Sequence, residues 1–344
     1  MTSNARELAQ IPSTPSGRRN LIINGAAEVN QRSTGTVTNG EAYGAVDRFI
    51  GFAAAGGTFT LAQSTDSPDG YNNSILATVT SADSSIASND FYGISQRIEG
   101  QNVYHLGFGS SAAKTLTLSF YVKSSVTGTF GGAIRNSSGT RSFNFSYTVN
   151  SANTWEHKTY TIAGDTSGTW LTDTGIGLRV SWSLGDGSDR LQAAGSWGAG
   201  NFAGVTGQTN LITTGSATLQ LTGVQLEVGS VATEFEHRSF GEELALCQRY
   251  FSLNCVGTGT ATSTTVIQAQ IPTIVSMRAA PSIAIVDGTN AAGDPGIAFR
   301  NLTGITGTVN SNLNGVSVQL TCATTNSGNL HEVYANRLSF SAEL

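Results

Sequence analysis

The sequence predicts an all-β fold: a jelly-roll β-sandwich, then a short linking helix, then a smaller antiparallel β domain, with an extended arm in front. Three observations predict it. Leu116, Leu118, Phe120 and Val122 alternate with Thr117, Ser119, Tyr121 and Lys123. Phe143, Phe145, Tyr147 and Val149 form a second alternating set, and Ile176, Leu178, Val180, Trp182 and Leu184 a third. A period of two puts one set on a core and the other toward water. Turn residues recur between residues 45 and 236 at the spacing of an antiparallel sandwich. Finally, helical periodicity is best developed in one short segment, Gly241 to Phe251.

Taken in order, residues 1–25 are predicted as an arm. Ala5 to Gln10 could form one or two helical turns, but Pro12, Pro15 and Gly17 stop regular structure after it. Two readings stand. The arm is a frayed terminus, or it anchors the chain to a partner through Arg6, Leu8, Ile11, Arg18 and Arg19. Asn20 to Gly25 (NLIING) reads as a short strand closed by a turn. Residues 26–238 form the predicted jelly roll. Within it Leu219 and Leu221 are followed by Val224, Leu226 and Val228, so the alternation slips at Gly223; a β-bulge there is the simplest account.

Residues 239–252 are predicted as the linking helix. Glu242 and Glu243 sit in its first turn and Arg249 near its end, matching the helix dipole. Leu244, Cys247 and Phe251 make a stripe, with Leu246 and Tyr250 beside it. Leu244, Cys247, Tyr250 and Phe251 are therefore expected to form a buried joint between two β domains. In residues 253–344 the alternation resumes at Ile283 and Ile285, at Val316, Val318 and Leu320, and at Leu338, Phe340, Ala342 and Leu344.

Composition narrows the function. The 344 residues suffice for two domains with cores of their own. Charged residues make up 12%, and the net charge is −5, which gives no reason to expect nucleic acid. Of 18 basic residues only Lys114, Lys123 and Lys158 are lysines. Cys247, Cys255 and Cys322 are too few and too irregular for a disulfide framework or a metal site. No window is apolar enough to span a bilayer and no signal peptide is recognisable, so the expectation is a cytoplasmically made chain without membrane insertion.

Catalytic signatures are missing: no nucleophile elbow, Walker loop, His-Glu-x-x-His or paired Cys-x-x-Cys occurs. The four histidines are scattered. Asp66 and Asp69, and Asp186 and Asp189, fall in Asp/Gly turns of the kind an all-β chain uses as punctuation; a calcium site there would need further oxygens to converge. Scattered acids such as Glu99, Asp165, Asp173 and Glu227 include no pair marked for glycoside hydrolysis. No catalytic residue, metal site or cofactor is expected. Trp155, Trp170 and Trp197 remain as candidates for ligand contact. An indole can desolvate against a sugar or protein while its N–H keeps a partner, but it can equally fold back as a plug over the core.

Several stretches resemble bacteriophage tail-fibre and related virion proteins, as found in marine and cyanobacterial phages. These are NLIINGAAEVNQR (Asn20 to Arg32), AVDRF (Ala45 to Phe49), SQRIEG (Ser95 to Gly100), Lys114 to Phe130, Asn153 to Trp170 and, most specifically, QLEVGSVATEFEHRSFGEELALCQRYF (Gln225 to Phe251). MRAAPSI (Met277 to Ile283) and the closing strand are similar to the family's C-terminal part. Ala27, Phe49 and Glu234 stand where the family often has methionine, tryptophan and proline. The resemblance implies a carbohydrate-binding-module-like jelly roll in a non-enzymatic virion protein, a tail fibre that takes part in attachment to the host. It further implies assembly in the host cytoplasm, a homotrimer, contact with other tail or capsid proteins through the arm, and host surface polysaccharide as a partner. Sugar-contacting residues vary among such modules, so none is carried over. Two alternatives are a purely structural capsid fibre or tail adaptor, and a polysaccharide depolymerase.

Overall fold

The computed structural model describes residues 18–253, 257–286, 292–294, 298–322, 330–333 and 338–344. The chain divides into two compact units, residues 1–238 and 239–344.

The first unit is a sandwich of two antiparallel sheets. Its strands are β1 (Gly35–Val37), β2 (Gly40–Tyr43), β3 (Phe49–Ala53), β4 (Thr58–Ser64), β5 (Ser74–Ser81), β6 (Phe91–Glu99), β7 (Leu116–Ser124), β8 (Gly128–Arg135), β9 (Ser142–Val149), β10 (Glu156–Ile162), β11 (Ile176–Asp186), β12 (Leu191–Gln192), β13 (Trp197–Gly198), β14 (Gly204–Val205) and β15 (Thr218–Val228). β12 and β14 pair apart from the sandwich as a two-stranded parallel sheet; of the two sandwich sheets, one has the order β1-β4-β5-β15-β7-β10 and the other β13-β9-β8-β11-β6-β3-β2. Neighbours in each are antiparallel, and most are distant in sequence, which is the connectivity of a jelly roll.

Alternation explains the core. Leu116, Leu118, Phe120 and Val122 of β7 face Phe143, Phe145 and Tyr147 of β9 and Trp182 of β11 across it, all buried. Phe120 meets Trp182 and Tyr147 edge to face, with centroids 5.6 and 5.2 Å apart. Such pairs add roughly 0.5–1.5 kcal/mol beyond area burial, so this is the ring-rich centre of the sandwich.

The predicted bulge lies where the alternation slips. In β15, Thr222 pairs with Tyr121 but Gln225 pairs with Ser119, so one extra residue enters at Gly223–Val224. Gly223 has φ +59°, a conformation that costs a glycine nothing. The bulged peptide is stitched to the N-terminal segment: Val224 N–H donates to Gly25 O at 2.9 Å, and Asn20 Nδ2 donates to Val224 O at 3.0 Å.

That stitching corrects the predicted arm. Asn20 to Asn24 are buried and belong to the sandwich. Pairing of β15 with β5 stops at Leu221, which leaves the second half of β15 an open edge on that side. Leu21 N–H donates to Leu226 O at 2.9 Å and Asn20 Oδ1 accepts from Leu226 N–H at 3.1 Å, so NLIING covers this edge without forming a regular strand. The boundary at residue 25 is thus too late.

The second unit opens with helix α1 (Phe240–Gln248). Ser239 and Glu242 form a reciprocal capping box: the Ser239 hydroxyl accepts from Glu242 N–H, and the Glu242 carboxylate accepts from Ser239 N–H at 3.0 Å. The helix stops at Gln248, four residues before the predicted end at 252. Tyr250 follows its C-cap, and Phe251 begins β16 (Phe251–Ser252). Cys247, Tyr250 and Phe251 are buried, whereas Leu244 is only half-buried. The helix falls inside this unit and is no separate segment.

The remaining strands are β17 (Gly257–Ala261), β18 (Val266–Pro272), β19 (Ser282–Ile285), β20 (Ala292–Asp294), β21 (Ala298–Arg300), β22 (Leu302–Asn312), β23 (Gly315–Cys322), β24 (Leu330–Val333) and β25 (Leu338–Ser341). One sheet runs β21-β20-β24-β17-β18-β23-β22 and a small one β16-β25-β19. Ile267, Ile271, Val318, Leu320, Leu338 and Phe340 supply its core. The last strand stops at Ser341, short of the predicted Leu344, although Ala342 stays buried and its N–H donates to Tyr250 O.

Candidate functional site: the outward face of the six-stranded sheet

Residues of β7 that point away from the core are Thr117, Ser119, Tyr121 and Lys123. On the neighbouring edge strand β10, His157 pairs with Tyr121 and Thr159 with Ser119, so these share the outward face. Parity also places Trp155, just before β10, on this face, beside Lys123.

Four segments bring rings together here. Tyr121 lies 4.8 Å from His157 and 5.5 Å from Tyr71, centroid to centroid. Tyr71 comes from the loop between β4 and β5, and it also meets Phe235 at 5.3 Å and His237 at 5.5 Å. Phe235 and His237 belong to the extended segment after β15 and touch each other at 4.9 Å. His157 and His237 are exposed; Tyr71, Tyr121, Trp155 and Phe235 are half-buried. A Cβ on Gly223 would lie 2.6 Å from the Tyr71 hydroxyl and 2.7 Å from its ring carbon Cζ. The bulge glycine therefore makes the room in which Tyr71 lies.

Electrostatics at the patch are mild. Burial, reinforced by the neighbouring Tyr121, pushes the Tyr71 hydroxyl up to about 12, so it remains a neutral donor. Burial and then the Lys158 charge lower the His157 imidazole, which favours its neutral form. At the rim Lys123 pairs with Asp66, and Trp155 Nε1 donates to Asp66 Oδ1 at 3.2 Å. The Lys123 hydrogen bond holds the Asp66 carboxyl below its usual range. The result is an amphipathic surface, with apolar ring faces bordered by hydroxyl, imidazole and indole donors and one ion pair.

Trp155 thus joins the patch; Trp170 and Trp197 do not. They pack edge to face at 5.5 Å, each also against Phe108, at 4.9 and 5.8 Å. Their N–H groups are used internally, Trp170 on Ser167 O at 3.1 Å and Trp197 on Ala163 O at 2.7 Å. Arg141, held bidentate by Asp165 at 2.7 Å in both bonds, stands 5.9 Å from the Trp197 ring. Beside Phe108 and Trp170 is a space of only about 20 Å³, less than one sugar ring requires. This cluster is a plug over the core.

The other candidates are placed as follows. Arg6, Leu8 and Ile11 lie outside the described residues. Arg18 is exposed, while Arg19 is tied to the sandwich: its N–H donates to Glu236 Oε1 at 2.9 Å and its guanidinium stands 3.6 Å from Glu227. The acidic turns are engaged within the protein, with Asp189 accepting from the Ser88 hydroxyl at 2.8 Å and Asp186 buried beside Ser183 and Gln208. Among the described residues no group of three or more His, Cys, Asp or Glu is placed to hold a metal ion. Glu99, Asp165, Asp173 and Glu227 each bind neighbouring donors: Gln101, Arg141, the Gly175 N–H and Thr233.

No family model matches the chain, and no curated protein matches it. Among solved structures it is similar to the enzymatically active domain of bacteriophage CBA120 tailspike protein 4, at 10% identity and TM-score 0.34, over 61% of this chain and 22% of that one. It is also similar to a CBM4 structure, at 16% identity and TM-score 0.30, over 60% of this chain and 98% of that one. The CBM22-1 xylan-binding domain from Paenibacillus barcinonensis Xyn10C matches at 10% identity and TM-score 0.29, over 63% of this chain and its own full length. The chain spans less than a quarter of the tailspike domain. All three TM-scores are low, and the sandwich follows from this chain's own strand order.

Proposed function

We propose that this chain is a non-enzymatic attachment protein whose sandwich holds a carbohydrate surface through the ring patch around Tyr121. The observation that carries this reading is the gathering of Tyr71, Tyr121, His157, Phe235 and His237 from four segments onto one outward face. Rings of this kind pack on the apolar faces of sugars, and adjoining donors satisfy the hydroxyls. The setting proposed for it is a virion, with the chain as a tail fibre; that rests on the sequence resemblance of Gln225 to Phe251 and the other quoted stretches. A homotrimer fits the same resemblance, and light scattering giving a monomer mass at micromolar concentration would contradict it.

Affinity electrophoresis tests the site. The full chain is run in gels cast with dextran, xylan, mixed-linkage glucan or polygalacturonate. At least one polymer should retard the wild type, and Tyr121→Ala should lose roughly tenfold or more in affinity, about 1.4 kcal/mol. Retardation that is unchanged in Tyr121→Ala counts against the patch. Release of reducing ends from a retarding polymer would favour the depolymerase reading instead.

A further inference from the structure

On the outward face of the seven-stranded sheet, Arg179 of β11 pairs directly with Arg97 of β6 on one side and with Arg135 of β8 on the other. Three guanidinium side chains thus leave three adjacent strands in one row. With strands about 4.8 Å apart, the row spans roughly 10 Å. Like charges placed directly opposite destabilise a sheet, so the row needs an explanation.

Counter-charge inside the protein is incomplete. Arg97 pairs with Glu41. Arg135 is buried and donates to Asn201 Oδ1 at 2.8 Å, but its Nε has no partner. Burial, and then the charge of Arg179, push Arg135 down to about 10. Asp186 acts in the opposite sense on Arg135 but makes no ion pair with it among the described residues, and it is itself buried, with Oδ1 unpartnered. Arg179 is half-buried and in no ion pair among the described residues, and its Nε is buried without a hydrogen-bond partner. Burial and then the Arg97 charge act against its protonated form, and Glu41 and Tyr43 offset them only in part. Small outward residues beside it, Ser95 and Ser181, turn their hydroxyls onto the backbone oxygens of Val180 and Ala133 and supply no counter-charge.

We infer that the row Arg97–Arg179–Arg135 is a binding site for the carboxylate or sulfate groups of an acidic polysaccharide. This rests on the reading of the sandwich as a glycan-binding module and adds the charge of the glycan. A planar guanidinium meets a carboxylate or sulfate through two parallel N–H bonds, and an anion centred on Arg179 relieves the repulsion along the row. A net charge of −5 leaves the protein as a whole no general affinity for polyanions, so binding at the row is specific to it.

The test uses the full chain against polygalacturonate, dextran sulfate, uncharged dextran and poly-glutamate, at low and high salt. Polygalacturonate or dextran sulfate, whichever anion the site takes, should bind more tightly than dextran and weaken as salt rises. Arg179→Gln should weaken that binding tenfold or more, with its melting temperature unchanged or raised because a like charge is gone. Arg97→Gln provides a second reading of the same row. Binding of both acidic polysaccharides that is no tighter than dextran, or that is kept in Arg179→Gln, overturns the inference; equal Arg179-dependent binding of poly-glutamate overturns its saccharide part. A fall in melting temperature in Arg179→Gln with acidic-polymer binding intact marks the row as structural and overturns it too. Tyr121→Ala, run in parallel, separates this from the patch: loss at Arg179 with no effect at Tyr121 sinks the patch and leaves the row standing.

Discussion

Asp186 shows how burial can override hydrogen bonds and nearby charge in setting a side chain's chemistry. Its Oδ2 accepts from Ser183 and from Gln208 Nε2 at 3.2 Å, yet burial outweighs these bonds and pushes the carboxyl up to about 6. The folded chain therefore retains a proton that the unfolded chain, with the ordinary value of 3.8, releases. Stability from this group is fully present below about pH 4 and lost as pH rises through about 6, on the order of 2–3 kcal/mol in all. Asp186→Asn should flatten that fall, so that its urea midpoint gains on the wild type between pH 4 and pH 7; parallel pH profiles would contradict the assignment. Residues of this sort are poorly legible in a sequence. The turn GDGSD marks where Asp186 is, but only the fold shows that Ser183 and Gln208 close over it. The tryptophans teach the same lesson. Trp155, Trp170 and Trp197 look alike in the sequence, and their roles diverge because the indole N–H of Trp155 reaches a rim carboxylate while the other two reach backbone oxygens beneath them.

Among the elements, β15 was the most readable and the N-terminal segment the least. A one-residue slip in alternation at Gly223 is enough to place a bulge, because the side-chain period is two. What covers the bulge could not be read, since Asn20 and its partner Val224 are 204 residues apart. NLIING is apolar because it is buried against β15, and an apolar run beside a Pro-rich leader reads equally as a strand or as an anchor. Deletion distinguishes the two parts. Removing residues 1–17 should leave the melting temperature within a degree or two, whereas removing residues 1–25 should lower it sharply, by uncovering the β15 edge and the Glu236 carboxylate that accepts from the Arg19 and Asn20 amides. Equal melting temperatures for the two deletions would contradict the edge-covering role. The helix offers a milder case. Ser239 and Glu242 have the spacing of its capping box, but the i, i+3 and i+7 spacing that puts Phe251 in the helical stripe cannot distinguish a further helical turn from the first residues of a strand.

For the molecule as a whole, alternation over many strands makes the fold class legible, while of the candidate patch the sequence singles out only Trp155, at its rim. Tyr71, Tyr121, His157, Phe235 and His237 come from loop, strand and tail positions, and each taken singly is an ordinary residue of an all-β chain. They converge because β7 and β10 pair in one register and because the bulge at Gly223 admits Tyr71. The arginine row is equally hidden, since cross-strand register is a property of the folded sheets. The proposal that this surface attaches a virion to its host is tested most directly by competition. Purified full-length chain is added to cells before particles that carry the same chain, and particle adsorption is counted. The account predicts that wild-type protein blocks adsorption in a saturable way and that Tyr121→Ala, folded and at equal concentration, blocks at least tenfold less. Equal blocking by the two proteins, or no blocking by the wild type, would contradict it.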